Sequence, residues 1–225
     1  MASNSPTARI VMPVYDLVDM LDVAGPHELF GWAGMQVDLV ACDAGKLRFR
    51  DGFRFEVDLS FDAVEGNYDA LWVPGGDPQS INAILADPDG PYLSFLNRMA
   101  RSARYIASVC EGAMLLAGAG LLDGYQATTH WAFIPCFGSR FKQVKVVDGY
   151  PRFCLDRDRL TGGGISSGLD EALMLIQLLL GTAAAQEVQL STQYYPQPPV
   201  SSTIPPTDSC PLDEPENSPR RYRGA

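Results

Sequence analysis

The chain reads as an α/β protein in three layers: a mainly parallel sheet with helices on both faces. Three observations predict this. Short apolar runs suited to strands alternate with segments of helical periodicity along most of the length. Several of those runs end in glycine-rich turns. One run passes straight into a helix-type segment at a cysteine, Cys110. At 225 residues there is material for one large domain or two small ones. Hydrophobic residues make up 46% and charged residues 20%, as in an ordinary globular protein.

The run Ile10-Val11-Met12-Pro13-Val14-Tyr15 predicts the first strand. Residues 19–34 follow with helical spacing of Leu21, Val23, Leu29 and Phe30. Pro26 is placed near that helix start, where its missing N–H costs little. Residues 36–42 read as the second strand. Residues 48–57 alternate around Asp51-Gly52 and predict a small hairpin. Residues 69–76 form a buried strand ending at Gly75-Gly76. Helices over 78–85 and 91–101 are each opened by proline. A strand over 104–109 leads through Cys110 to a helix from Glu111.

Residues 127–130 read as a short strand or turn, and 131–137 as a short helix. Segments 145–147 and 152–156 flank Asp148-Gly149, a hairpin-type dipeptide. Residues 160–164 form a last strand running into a glycine turn. Ser166 or Ser167 caps a helix over 169–180, with Gly181 at its end. Asp170 and Glu171 interrupt that helix too much for a membrane span. A second helix covers 183–192. From Tyr194 onward, closely spaced prolines rule out further helix. The domain is therefore expected over 8–206, its end an extended strap, with 207–225 a flexible tail.

The formal net charge of −10 offers no basic field for nucleic acid. The polar start and the lack of an apolar run of about 18 residues predict no membrane segment and a cytoplasmic chain. The cysteines are Cys42, Cys110, Cys136, Cys154 and Cys210, an odd number without a Cys-x-x-Cys pair, so free thiols are expected. His27 and His130 are the two imidazoles, and no metal-ligand spacing is recognisable. Neither dinucleotide nor P-loop glycine motifs occur.

Parallel sheets place their sites at the carboxyl ends of the strands. The Gly75-Gly76 turn, Cys110 and the turn of Gly162, Gly163 and Gly164 all fall there. Cys110 reads either as a small core residue or as a nucleophile on a strand-to-helix elbow. The convergence of turns favours the nucleophile, and a helix start favours its thiolate. The N–H groups of Glu111 and Gly76 are candidate donors for developing negative charge, although Gly75-Gly76 also reads as a plain tight turn. His130 reads as a structural histidine before a general base. Asp22 is either an N-cap or a carboxyl group that reaches Cys110, and Glu28 is its rival. Glu111 has a default role in compensating the helix dipole.

These residues together resemble the ThiJ/PfpI superfamily of glutamine-amidotransferase-like α/β proteins, over about residues 8–206. The likeness rests on Asp22-x-x-Gly25-Pro26, Trp72-Val73-Pro74-Gly75-Gly76, Ser108-Val109-Cys110-x-Gly112-Ala113, Gly120-Leu121-Leu122-Asp123-Gly124, Ala127-Thr128-Thr129-His130-Trp131 and Thr161-Gly162-Gly163-Gly164. Within the superfamily the pattern is most similar to the isonitrile hydratase branch, with support from Gln193-Tyr194-x-Pro196-x-Pro198-Pro199. The resemblance implies a flavodoxin-like αβα sandwich, usually a homodimer, acting on a small molecule with no cofactor. It implies Cys110 as nucleophile and Asp22 as proton carrier, with Gly75, Gly76, Glu111, Thr129, His130 and Gly164 around them. The branch typically has threonine after the nucleophile, where this chain has Glu111. Two alternatives stay open. One is glyoxalase- or deglycase-like chemistry on small carbonyls, which needs an early-helix glutamate such as Glu28 against the cysteine. The other is a non-enzymatic redox or ligand sensor. The same core also forms the sensor-like half of some AraC-type regulators, and residues 1–225 leave no room for their DNA-binding half.

Overall fold

A computed structural model describes residues 8–213. In chain order the elements are β1 (Arg9–Pro13), α1 (Met20–Trp32), β2 (Gln36–Ala41), β3 (Gly45–Arg48), β4 (Arg54–Val57), β5 (Leu59–Ser60), β6 (Ala70–Val73), α2 (Pro78–Leu85), α3 (Pro91–Ala100), β7 (Tyr105–Ser108) and α4 (Gly112–Gly118). They continue with β8 (Gln126–Ala127), α5 (Ile134–Arg140), β9 (Lys145–Val146), β10 (Phe153–Asp156), β11 (Arg159–Gly162), α6 (Ser167–Leu180) and α7 (Thr182–Ser191). The main sheet runs β10-β11-β7-β6-β1-β2-β5, parallel throughout except for β10 against β11.

Strand alternation sorts the core into two layers. Val11, Leu71, Val73 and Ile106 face Ile81 of α2, Leu93 and Leu96 of α3, Met114 of α4 and Phe137 of α5. Ile10, Met12, Trp72 and Ala107 face Phe30 of α1, Leu175 and Ile176 of α6 and Val188 of α7. The central strands are therefore apolar on both faces, as covered parallel sheets require.

Two expectations need correction in the first helix. Pro26 lies inside α1 rather than near its start, and Asp22 is within the first turn rather than at the cap. The residue at the cap is Asp19, which makes no side-chain capping bond. An interior proline leaves the carbonyl four residues earlier without its helical donor. That carbonyl belongs to Asp22, and the Trp72 indole N–H donates to it at 3.1 Å. A bond from β6 thus replaces the missing one and fixes α1 against the sheet.

The Asp148-Gly149 hairpin also does not form. β9 pairs in parallel with β8, while β10 pairs with β11 across the tighter Arg157-Asp158 turn. Arg157 takes a positive φ of 58° there, and its guanidinium lies 3.6 Å from the Tyr125 ring centroid.

The end of the described chain is packed rather than trailing. Cys210 and Leu212 are buried, and Cys210 is bonded to Cys136 of α5. Asn82 donates to the Leu212 carbonyl at 2.7 Å, and Arg140 pairs with Asp213. This departs from the free-thiol expectation for Cys136 and Cys210 and from the flexible-tail expectation for 207–213. The remainder of the expected tail, 214–225, lies outside the described residues. Among the described residues no helix is long and apolar enough to cross a membrane.

Candidate active site

Cys110 follows β7 by two residues and takes a positive φ of 57°. For a non-glycine residue that conformation costs about 1–3 kcal/mol, and the surroundings must hold it in place. They do so through backbone bonds. Val109 N donates to Val73 O at 3.1 Å, Cys110 N to Gly163 O at 2.9 Å, and Thr129 Oγ1 to Cys110 O at 2.8 Å. A Cβ at Gly112 would sit 2.0 Å from Val73 O, so glycine is what lets α4 begin this close to β6. The thiol is sealed, with Cys110 only 1% exposed.

Glu111 turns inward beside it and is 2% exposed. Burial and Asp19 oppose its ionised form, while Cys110 and the backbone N–H of Glu111 itself favour it. One donor atom each from Asp19, Cys110 and Glu111 lie within 4.8 Å of one another. Gly75 packs on this pair: a Cβ there would come 2.5 Å from Glu111 Oε2 and 2.7 Å from Cys110 Cβ. Gly75 N donates to Asp22 Oδ2 at 2.9 Å. The Gly75 N–H is thus engaged by a carboxylate, rather than left to face a substrate. At Gly76 a Cβ would meet Leu17 O at 2.7 Å and Tyr15 Oη at 2.9 Å, the close approach of the Val18–Gly76 bridge. Arg50, from the β3–β4 hairpin, brings a guanidinium to 3.5 Å from Asp19 and 4.0 Å from Asp77.

This crowding of acids sets the protonation states. Burial first, then Glu111, Asp22 and Asp19, pushes the Cys110 thiol well up, against a hydrogen bond from Ile165 N–H. Desolvation and three carboxyl groups thus act against the thiolate that the helix start was expected to favour. Burial and Asp19 raise Glu111 to about 7, while the bond from Cys110 opposes the rise. Burial, Asp19 and Glu111 hold Asp22 well above the usual carboxylate range, although Gly75 N–H favours its ionised form. Asp22 Oδ1 is buried without a hydrogen-bond partner.

Several residues expected in the site prove structural or remote. Glu28 is exposed on α1 and accepts from Trp32 Nε1 at 3.0 Å, so it does not touch Cys110. His130 accepts from Ala132 N at 3.2 Å through Nδ1, and burial followed by Arg50 lowers it to about 4. It is a neutral capping group, and Gly164 makes room for its ring, with a Cβ there only 2.4 Å from His130 Cδ2.

Asp19, Arg50, Ile165 and Glu171 enter the site region without having been read from the sequence. Asp19 sits three positions before Asp22, one helical turn away, which was a usable signal. Arg50 and Ile165 arrive from loops with no local marker. Glu171 is fully buried on the inward stripe of α6 with both carboxyl oxygens unpartnered. Its place on the stripe of Gly168, Ala172 and Leu175 could have been read by periodicity. Gly162 accommodates it, since a Cβ there would overlap Glu171 Oε2 at 1.6 Å.

The DJ-1/PfpI family profile matches residues 8–177. The isonitrile hydratase of Pseudomonas putida is 36% identical over 206 residues, covering 89% of this chain and 85% of that protein. The HTH-type transcriptional regulator GbdR of Pseudomonas aeruginosa is 36% identical over 150 residues, covering 67% of this chain and 37% of the regulator. A crystal structure of a ThiJ/PfpI family protein from Pseudomonas syringae superposes with a TM-score of 0.76 at 30% identity, covering 89% of this chain and 84% of that one.

Proposed function

The chain belongs to the DJ-1/PfpI family, and we propose that it is a Cys110-dependent enzyme of the isonitrile hydratase kind, adding water to R–NC to give an N-substituted formamide. The observation that carries this reading is the thiol on the strained elbow, with the buried Asp22 carboxyl group held by Gly75 N–H on the turn that packs against Cys110. Similarity to the Pseudomonas putida hydratase along most of both chains supports it.

The chemistry follows from the protonation states. Glu111, poised at about 7, takes the thiol proton. The sulfur attacks the terminal carbon, forming a C–S bond, and the carbon takes a proton from Asp22 Oδ1 to give a thioimidate. The Asp22 carboxylate then takes a proton from water as the hydroxide adds to that carbon. The Glu111 proton passes to nitrogen; the C–S bond then breaks as the Glu111 carboxylate takes the proton of the added hydroxyl, leaving the formamide, and Glu111 returns that proton to the thiolate. The reading uses no cofactor and takes the protein as a homodimer, which sedimentation or size-exclusion measurement checks. Incubation with cyclohexyl isocyanide, followed for the N-formamide, tests the activity. Wild type should turn over, and Cys110→Ala should not. Equal rates for the two would end the hydratase assignment, and unchanged activity in Asp22→Asn would remove Asp22 from the mechanism.

One observation favours a second reading, glyoxalase- or deglycase-like chemistry on small carbonyls. That chemistry needs a glutamate against the sulfur, and Glu111 meets the need that Glu28 does not. Turnover of methylglyoxal without turnover of isonitriles would select it. Selective peroxide oxidation of Cys110 without either activity would select the sensor instead.

A further inference from the structure

Asp19, Cys110 and Glu111 belong to three different stretches of structural logic: a helix cap that makes no capping bond, a strained elbow, and the residue after the nucleophile. We infer that together they form a binding site for a thiophilic divalent cation of the zinc(II) type.

The donors converge without a metal, one atom from each lying within 4.8 Å of the others. Two of the oxygens, Asp19 Oδ2 and Glu111 Oε2, are buried and have no hydrogen-bond partner. A buried carboxylate oxygen left unpaired is costly, and a cation at the centre of the three donors would satisfy both oxygens at once. Zinc bonds of about 2.3 Å to sulfur and 2.0–2.2 Å to oxygen set tetrahedral donors roughly 3.3–3.6 Å apart. Metal binding would draw donors that lie within 4.8 Å of one another together by up to about 1.5 Å. Sulfur with two carboxylates suits a borderline metal, whereas magnesium or calcium would call for an all-oxygen set.

Charge points the same way. Asp19, Asp22 and Glu111 are buried and act on the thiol, and the guanidinium of Arg50 reaches Asp19 and the buried Asp77. A dication releases the thiol proton and any carboxyl proton on its ligands, so binding and deprotonation are coupled. Three protein ligands leave a fourth position for water. The site depends on Glu111, the point where this chain departs from the hydratase pattern, since threonine there would supply no carboxylate. A metal bound to sulfur also draws on one of its electron pairs and covers the atom, so the loaded protein should react more slowly as a nucleophile. The inference stands independently of which substrate Cys110 serves.

The test uses the full chain carrying Cys42→Ser and Cys154→Ser, which removes the other free thiols. Titration with cobalt(II) should show one equivalent bound, with near-ultraviolet thiolate-to-cobalt absorption and intense visible bands, displaced by zinc(II). Cys110→Ser should lose the sulfur band. Asp19→Asn and Glu111→Gln should each weaken binding by about 10-fold or more. In parallel, zinc(II) should slow labelling of Cys110 by iodoacetamide, read by peptide mass spectrometry in the parent chain, where no ligand has been changed. Absence of the sulfur band, wild-type affinity in both carboxylate variants, or labelling that zinc does not slow would each overturn the proposal.

Discussion

Two buried cysteine neighbourhoods in this molecule are opposites. Cys110 stands on a strained elbow among carboxyl groups, and its sulfur is unbonded. Cys210 lies in apolar surroundings at the end of the described chain, and its sulfur is bonded to Cys136. The first neighbourhood gathers features that cost stability: a positive φ, unpaired buried oxygens and mutual repulsion among acids. The second ties 207–213 onto α2 and α5 and stabilises. Burial alone therefore says little about what a cysteine is for. The groups that face the sulfur distinguish the two.

The largest expected effect separates them by activity. Cys110→Ala should abolish turnover in the formamide assay while leaving the melting temperature unchanged or raised. A substantial fall in stability would make Cys110 a packing residue like its counterpart. Next, Cys210→Ser opens a link spanning 74 positions and should cost about 2–4 kcal/mol in urea unfolding, with turnover retained. If activity fell with stability in proportion, the two neighbourhoods would be one cooperative unit.

A third effect depends on pH. Glu111 is raised from 4.5 to about 7 in the folded protein. Its contribution to stability is fully present below about pH 4.5 and is lost as pH rises to about 7, because over that window the folded state holds a proton the unfolded state has released. Glu111→Gln should therefore gain on wild type by up to ~1.4 kcal/mol per pH unit through that window and level off above it. Unfolding curves at pH 4, 6 and 8 for both proteins check the slope, and parallel curves would refute it. The smallest effect belongs to Glu28→Gln, which should change stability by no more than about 0.5 kcal/mol and leave turnover untouched. A marked loss of activity would move Glu28 into the site despite its exposed position.

The sequence carried the strand-helix alternation, the sheet-edge glycines and the elbow at Cys110, because each depends on neighbours a few positions away. It did not carry the direction of Glu111. A residue at a helix start is equally free to face solvent or sulfur until Gly75 packs on it from another strand. The Asp148-Gly149 turn misled because a local turn preference was outweighed by the pairing of β10 with β11. Pro26 misled for a related reason: its helix survives on an indole bond to Asp22 O from Trp72, fifty positions after Asp22. The Cys136–Cys210 link was invisible for the same cause, since nothing near either residue marks its partner. Asp19 was legible in spacing, one turn before Asp22, but it carried no signal of charge crowding until Arg50 and Glu111 were placed beside it.

The seal over Cys110 turns its sulfur into a clock for the protein's breathing. At 1% exposure an alkylating reagent meets the atom only while the walls stand apart, one of those walls being the turn at 163–165, whose Gly163 carbonyl holds Cys110 N. The observed labelling rate is then the intrinsic thiol rate multiplied by the fraction of time open. Cys42, exposed in the same molecule, supplies the unhindered reference in the same tube. The proposed reaction has to pass through the same door. A variant that loosens the turn at 163–165 should therefore speed both the labelling and the proposed reaction.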